Sequence, residues 1–557
     1  MTEPIIDRNN VAIQVKGLGS FDVAKGTVTA DFIAMIQNQW PHPIVAAIVF
    51  NTLRDLNYVL TTDCELEPVD TSTEAGLRIY RRSASFLLIK ACHDLYPERT
   101  LMIKHTLSNG LYCEFLKEET TDIEIEAIQN RMRELVRRDL PIKRYLVTKE
   151  QAIHIFAAQG QQDKVGLLEF RDKDAVHVYE LDDYREYFYG YMVKNTGLLD
   201  KFRVLYHSPG LVLRTPEIDD LELVKPFREQ KKLAMIHQEA KKWAEMLQTP
   251  HLAALNGFIA RGEVDEIIQI NEALHEKKIA YIADTICSNP NARVVLISGP
   301  SSSGKSTFAR RLLIQLRVNG RRPVSISLDN YFVDRVDTPI DSSGEYDFEA
   351  LEALKLELFN DHLLRLLAGE EVEIPIYNFR TGYSEPRGML VKVPPEEPIV
   401  IEGIHGLNDR LTWKIPMSSK YKIYISALTQ LNLDYSNRIP TTDSRLIRRM
   451  VRDSRTRGYS ALNTIKRWPS VRAGEEKNIF PFQENADVMF NSSLVYELAV
   501  LRAYAEPLLQ DISNRYPEHV EARRLLRFLS YFRTLPSANV PPNSILREFI
   551  GGSWFNV

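Results

Sequence analysis

The stretch LISGPSSSGKST, residues 296–307, restricts the fold of this chain more than any other part. Gly299, Gly304, Lys305 and Ser306 fit the spacing G-x-x-x-x-G-K-[ST]. Glycines let successive backbone N–H groups turn inward around phosphates, and a helix beginning at the end of the loop adds its positive end. Lys305 is long enough to reach the outer phosphates, and the Ser306 hydroxyl suits a magnesium ion. The flanks agree with this reading. RVVLI (293–297) reads as a buried strand, and TFARRLLIQLRVNG reads as a helix with Phe308, Leu312, Leu313 and Leu316 inward and Gly320 as its stop. The expectation is an α/β protein with a P-loop NTPase-type parallel sheet. Gly299, Pro300, Ser301, Ser302, Ser303, Gly304, Lys305, Ser306 and Thr307 form its nucleotide-binding set.

The loop alone does not separate a kinase from other nucleotide enzymes, but the following strands narrow the choice. RPVSISLDNYF alternates and ends near Asp329, which a parallel sheet would carry to its carboxyl edge beside the phosphates. A carboxylate there can accept the proton of an attacking hydroxyl. A turn or helix-capping aspartate is the alternative. EEPIVIEGIHGL ends its apolar run at Glu402, placed to hold magnesium or to cap the next turn. In DSRLIRRMVRDSRTRG, residues Arg445, Arg448, Arg449, Arg452 and Arg455 share one helical face. So many cations with few acids between them repel unless an anion lies close, which suggests a lid over a transferring phosphate.

A chain of 557 residues is too long for one ordinary core, so about two to four domains are expected. Lys+Arg 70 against Asp+Glu 74 leaves no global basic field of the kind that draws nucleic acid. The start lacks a basic-then-apolar layout, no apolar run reaches membrane length, and four scattered cysteines form no framework. A reducing cytoplasm without membrane contact is the expected setting. Residues 1–70 read as short strands, 71–215 as mixed helix and strand, and 216–290 as a helical linker. Residues 291–490 hold the loop and its sheet, and 491–557 form a C-terminal helical extension that packs on that sheet.

SGPSSSGKST, SLDNYF, IPIYNF, IVIEG and RLIRRMVRDSRTRG together resemble the uridine kinase family, within the uridine kinase–phosphoribulokinase group. The resemblance implies a kinase using ATP and Mg2+, with Ser306 and Glu402 on the metal and Asp329 as the base. It also implies Arg449, Arg452 and Arg457 as lid residues, and Asp329, Phe332, Tyr377 and Phe379 around a nucleoside. The implied reaction places a phosphoryl group on a pyrimidine nucleoside 5'-hydroxyl, uridine or cytidine leading. Phosphoribulokinase and pantothenate kinase share the layout, so another small alcohol remains an alternative acceptor. Several positions depart from the family. Its pyrimidine-contacting histidine is Gly382 here, with Tyr383 beside it; the acid between the two aromatics is Asn378; and the arginine after the RG is Tyr459. These changes fall on the nucleoside side rather than the phosphate side.

Residues 1–70 resemble the small β-grasp (TGS) domain of threonyl-tRNA synthetases, and 77–215 resemble their α+β editing domain. Editing in that family needs an H-x-x-x-H pair and a later C-x-x-x-H. Arg82, Phe86, Phe188 and Met192 stand at those positions. Phe and Met cannot replace an imidazole or a thiol as ligand or proton carrier, so this half is expected to be dead for editing. RNA contact through the front half and a homo-oligomeric state stay open. The basic run 130–139 reads better as a solvated helix face, and His105 and His207 as packing histidines. A binding protein whose ATP site is regulatory is the alternative from another class.

Overall fold

The computed structural model describes residues 9–340, 344, 346–429 and 431–556. The first unit is a five-stranded mixed sheet. Strand Asn10–Val15 pairs antiparallel with Gly19–Ala24 and parallel with Cys64–Asp70, and the latter pairs antiparallel with Ile44–Val49. Val11, Ile13 and Val15 alternate inward against Phe32, Ile33 and Ile36 of helix Thr29–Ile36, which is the β-grasp arrangement.

The next unit hangs on the helix Glu74–Leu95, whose start is capped by the Thr73 hydroxyl accepting from Gly76 N. It covers a four-stranded antiparallel sheet in the order Arg203–His207, Gly210–Arg214, Gly110–Phe115, Leu101–Leu107. A three-stranded antiparallel sheet, Ile142–Thr148, Ala175–Leu181 and Tyr184–Tyr187, stands beside it. Helices Lys231–Met246, Leu252–Arg261 and Val264–Cys287 follow. Ile279, Ile282, Ala283 and Ile286 of the last one share a core with Phe308, Leu312 and Leu316, so the stretch expected as a linker forms a layer on the loop-bearing sheet.

That sheet has five strands: β1 (Val294–Ser298), β2 (Val324–Ser327), β3 (Ile399–Glu402), β4 (Lys420–Ser426) and β5 (Val488–Asn491). Their spatial order is 2-3-1-4-5 and every pairing is parallel. Both faces are covered, which explains the unbroken apolar run of β1. Val295 and Ile297 face the layer that contains the loop helix, whereas Val294 and Leu296 face Phe359, Leu363 and Leu366 of helix Leu356–Leu367. Helices α1 (Lys305–Val318), α2 (Thr441–Thr456) and α3 (Ala461–Asn478) flank the carboxyl edge. The C-terminal helices Glu497–Gln510, His519–Leu529 and Arg547–Ile550 fill the same face as α1, as the apolar stripes after Val495 suggest. Among the described residues no helix is long and apolar enough to cross a membrane.

Candidate functional site

The parallel register fixes which side chains meet. Ile297 of β1 and Ser327 of β2 both align with Glu402 of β3, so the loop, Asp329 and Glu402 leave the sheet at one edge. Asp329 lies two residues beyond β2, on the 3-10 turn Leu328–Tyr331 rather than on the strand. The Ser327 hydroxyl donates to Glu402 Oε1 at 3.0 Å.

The loop has the form that phosphates require. Gly304 holds φ +84°, and a Cβ on Gly299 would stand 2.0 Å from the Ile425 carbonyl oxygen, so only glycine fits there. Lys305 Nζ donates to the carbonyl oxygens of Gly299 at 3.0 Å and Pro300 at 3.2 Å. The hydroxyls of Ser302 and Ser303 are buried with no hydrogen-bond partner in the protein, which fits a loop built to hold a polar ligand.

Charges concentrate at this edge. Asp329 is an exposed residue, and desolvation of its carboxyl raises its pKa against the pull of Lys305, Arg457 and Arg452. Glu402 is pushed up for the same reason, with Asp329 adding to the shift and Lys305 opposing it. Desolvation lowers the pKa of Lys305, while Glu402 and Asp329 oppose it. Glu349, which the sequence motifs did not single out, is raised to about 7 by burial, with Arg449 opposing. It packs where α3 has Gly474, whose missing Cβ would come within 2.5 Å of the Glu349 Cβ.

The arginine face of α2 requires a correction. The five cations already have partners: acids of other helices for Arg445 and Arg448, Asp453 of the same helix for Arg449 and Arg452, and backbone carbonyls for Arg455. Arg445 is fully buried, pairs with Glu475 and donates to Ser301 O at 2.9 Å. Arg448 is fully buried on Glu497 and donates to Ser492 O at 2.8 Å. Both brace the loop from behind. Arg455 donates to the carbonyl oxygens of Glu548 at 2.9 Å and Phe549 at 3.2 Å. Arg449, Arg452 and Arg457 gather on Asp453 at 3.3, 2.9 and 3.7 Å. Arg449 also reaches Ser301 Oγ at 2.6 Å. Glu475 completes the loop's framing by accepting from Ser301 N at 2.9 Å. The motifs missed Glu475, Glu497 and Asp453; only the unbalanced charge of α2 hinted that such acids must exist.

Phe332, Tyr377 and Phe379 form one aromatic cluster, with ring centroids 5.0 to 5.9 Å apart. Phe379 is 56% exposed while Tyr377 is buried, so the cluster presents one open ring. Gly382 holds φ +81°, and a Cβ there would lie 2.8 Å from Nε of Arg335. Arg335 donates to Phe379 O at 2.8 Å and, through its backbone, to Gly382 O at 2.8 Å. The space beside residue 382 thus belongs to a guanidinium, and a histidine side chain has no room. Asn378 turns the chain by accepting from the N–H groups of Arg380 and Thr381. A surface hollow of about 750 Å³, lined by Lys355, Leu356, Glu357, Leu358, Arg410 and Trp413, includes none of these groups.

In the front half the four editing positions do converge. Phe86 and Phe188 are buried with centroids 5.6 Å apart, and Met192 joins the same core. Arg82 donates to Tyr191 O at 2.7 Å, and its guanidinium occupies the space a Gly190 side chain would need. Where a hydrolytic pocket would need ligands there is packed hydrocarbon. Among the described residues no group of three or more His, Cys, Asp or Glu could hold a metal ion. His105 stacks on His237 at 3.6 Å, and His207 meets the edge of Tyr112, so both expected histidines pack.

Comparison with known proteins agrees with this division. Residues 294–498 match the model of the Phosphoribulokinase / Uridine kinase family, a span that holds the loop, Asp329, Glu402 and the arginine helix. The chain is 30% identical over 189 residues to the threonine–tRNA ligase of Francisella tularensis subsp. novicida (strain U112), covering 34% of this chain and 28% of that protein. The ligase of subsp. tularensis (strain SCHU S4 / Schu 4) is 29% identical over the same shares. The chain therefore spans about 28% of the length of these curated relatives. A possible uridine kinase from Bacillus stearothermophilus has TM-score 0.27 and 19% identity, over 39% of this chain and 98% of its own. D-glycerate 3-kinase from Cryptococcus neoformans var. grubii has TM-score 0.22 and 14% identity, over 45% and 87%. Residues 294–498 are similar to the Phosphoribulokinase / Uridine kinase family, and the front part is similar to threonine–tRNA ligases.

Proposed function

We propose that this protein is an ATP-dependent kinase acting on the hydroxyl of a small molecule, with the 5'-hydroxyl of uridine or cytidine as the leading acceptor. One observation carries the reading: a phosphate loop, the strand-end Glu402, Asp329 on the turn just past its strand and a cluster of arginines meet at the carboxyl edge of one parallel sheet.

The loop N–H groups and Lys305 would hold the triphosphate of ATP. Ser306 and Glu402 suit magnesium, which supplies charge neutralisation between the phosphates. Asp329 takes the proton as the acceptor oxygen bonds to the γ-phosphorus and the bond to the β-phosphate oxygen breaks. Its raised pKa brings it nearer the working pH of a general base. Arg449, Arg452 and Arg457, gathered on Asp453, stand ready to neutralise charge on the moving group. The open ring of Phe379 supports a flat acceptor.

The replacement of a histidine by Gly382 with Arg335 across it favours a second reading, in which the acceptor is another small alcohol. Transfer of label from γ-labelled ATP to a panel of nucleosides and small alcohols separates the two, with Asp329→Asn as control. Label on a nucleoside that vanishes in the variant supports the first reading, and label on a non-nucleoside alcohol alone replaces it with the second. No transfer to any acceptor overturns both.

A further inference from the structure

Some of the donors that a phosphate loop offers to a nucleotide are already taken by the chain itself. The N–H of Thr307 donates to Glu548 Oε2 at 3.2 Å, and the Thr307 hydroxyl donates to the same oxygen at 2.8 Å. Thr307 is fully buried and Glu548 is 8% exposed, so water does not share this contact. Thr307 is the third residue of α1, and its N–H is one of the donors that the first turn of any helix leaves without a partner. A carboxylate and a phosphate oxygen seek that turn for the same reason, negative charge at the positive helix end.

The segment that carries Glu548 is anchored independently of the loop. Ile545, Leu546 and Phe549 are fully buried. Arg455 donates to the carbonyl oxygens of Glu548 and Phe549, and the Arg448 guanidinium lies 5.0 Å from the Phe549 ring centroid. Ile545 presses on the loop: a Cβ on Gly304 would meet its Cγ2 at 2.5 Å. The backbone of Ile545–Phe549 is therefore part of the core. The Glu548 side chain, with three rotatable bonds, is the piece able to leave without unfolding anything.

We propose that Glu548 is a built-in competitor for the nucleotide, a carboxylate that closes the first turn of α1 until a phosphate displaces it. The proposal rests on the loop being the nucleotide site. Binding must break two hydrogen bonds of a charged acceptor and bring a like charge beside it, so the loop holds ATP less tightly than its own donors would permit. Arg455 ties this gate to α2, because its side chain holds the backbone carbonyls of the acid itself and of the next residue.

The test is the ATP dissociation constant of the full-length protein, measured calorimetrically without acceptor. Glu548→Gln removes the charge and keeps the shape, and Glu548→Asp withdraws the carboxylate by one methylene. Both are expected to bind ATP about ten-fold more tightly than the wild type, which corresponds to about 1.4 kcal/mol. If Glu548→Gln does not fold, Glu548→Asp alone decides. Unchanged or weaker ATP binding overturns the proposal, as does an absence of ATP binding in the wild type and both variants. Tighter ATP binding with no phosphorylated acceptor leaves this proposal standing and overturns the kinase reading instead.

Discussion

Arg524 grips both carboxylate oxygens of Asp443, at 2.6 and 2.8 Å, and so ties the C-terminal helix to the first turn of the arginine helix across 81 residues of chain. The same guanidinium holds Glu521, which reaches Arg78 on the long front-half helix at 3.5 Å. A second tie lies close by. Lys164 pairs with Glu186 at 2.9 Å and donates to Ser436 Oγ, while Asn437 donates to Tyr187 O, so the segment leading into α2 is seated on the front half. The two halves thus meet at the base of the arginine helix rather than through a free linker.

Asp443→Ala leaves the half-buried Arg524 with Glu521 as its remaining acidic partner. The expected loss is about 1.5–3 kcal/mol, the usual worth of hydrogen bonds to a charged group. A lowered urea midpoint checks it, and a midpoint equal to that of the wild type contradicts it.

Lys305→Ala and Asp329→Asn should fail differently. Removing the lysine takes a cation from the phosphates, so ATP binding itself is expected to fall. Removing the base should leave ATP affinity within about three-fold while kcat drops about 10²–10⁴-fold. Equal kcat in wild type and Asp329→Asn would remove the assigned role.

The pH profile follows from the direction of the Asp329 shift. Its pKa is raised, chiefly by desolvation, so the acid is still partly protonated at pH values where an ordinary aspartate is ionised. The acidic limb of kcat/KM is therefore expected above the ordinary aspartate range, with activity rising as pH rises through it. A limb at or below the ordinary value of 3.8 would contradict this assignment.

Stability should fall on mild acidification because of His105. Burial first, then His237, Arg438, Lys104 and His207, lower its pKa well below 6.5, so the folded protein holds it neutral. A base with a lowered folded pKa contributes stability that is complete above pH 6.5 and is lost as pH falls below it. Thermal midpoints measured from pH 7.5 downward should show the decline, and His105→Phe should make it shallower, the similarly lowered His275, His177 and His405 carrying the rest.

The front half should not hydrolyse mischarged threonyl-specific tRNA. With Phe86, Phe188 and Met192 packed together, Phe86→Ala is expected to cost about 3–5 kcal/mol of stability and to create no activity. A deacylation assay with the wild type decides the first point and a denaturation midpoint the second.

What the sequence could show was local. The loop spacing, the apolar run of β1, the stop at Gly320 and the positions of Asp329 and Glu402 each depend on a few adjacent residues, and each found its place. The residues at the four editing positions were equally legible, since that needs only their identities, and the fold packs Phe86, Phe188 and Met192 together.

The arginine helix shows where such reading stops. Its pattern reveals five like charges on one face but not their partners, because Glu475, Glu497 and Glu548 arrive from other helices, and Glu548 lies 241 residues from the Thr307 it binds. Likewise Gly382 reads as a lost side chain, and only the folded chain shows Arg335 filling its space. The sequence by itself determined the kind of sheet and the groups along its carboxyl edge, because backbone geometry and period are short-range. The tertiary structure alone decided which charges are paired, which donors are already occupied and how the two halves join, because those depend on which surfaces a compact chain brings together.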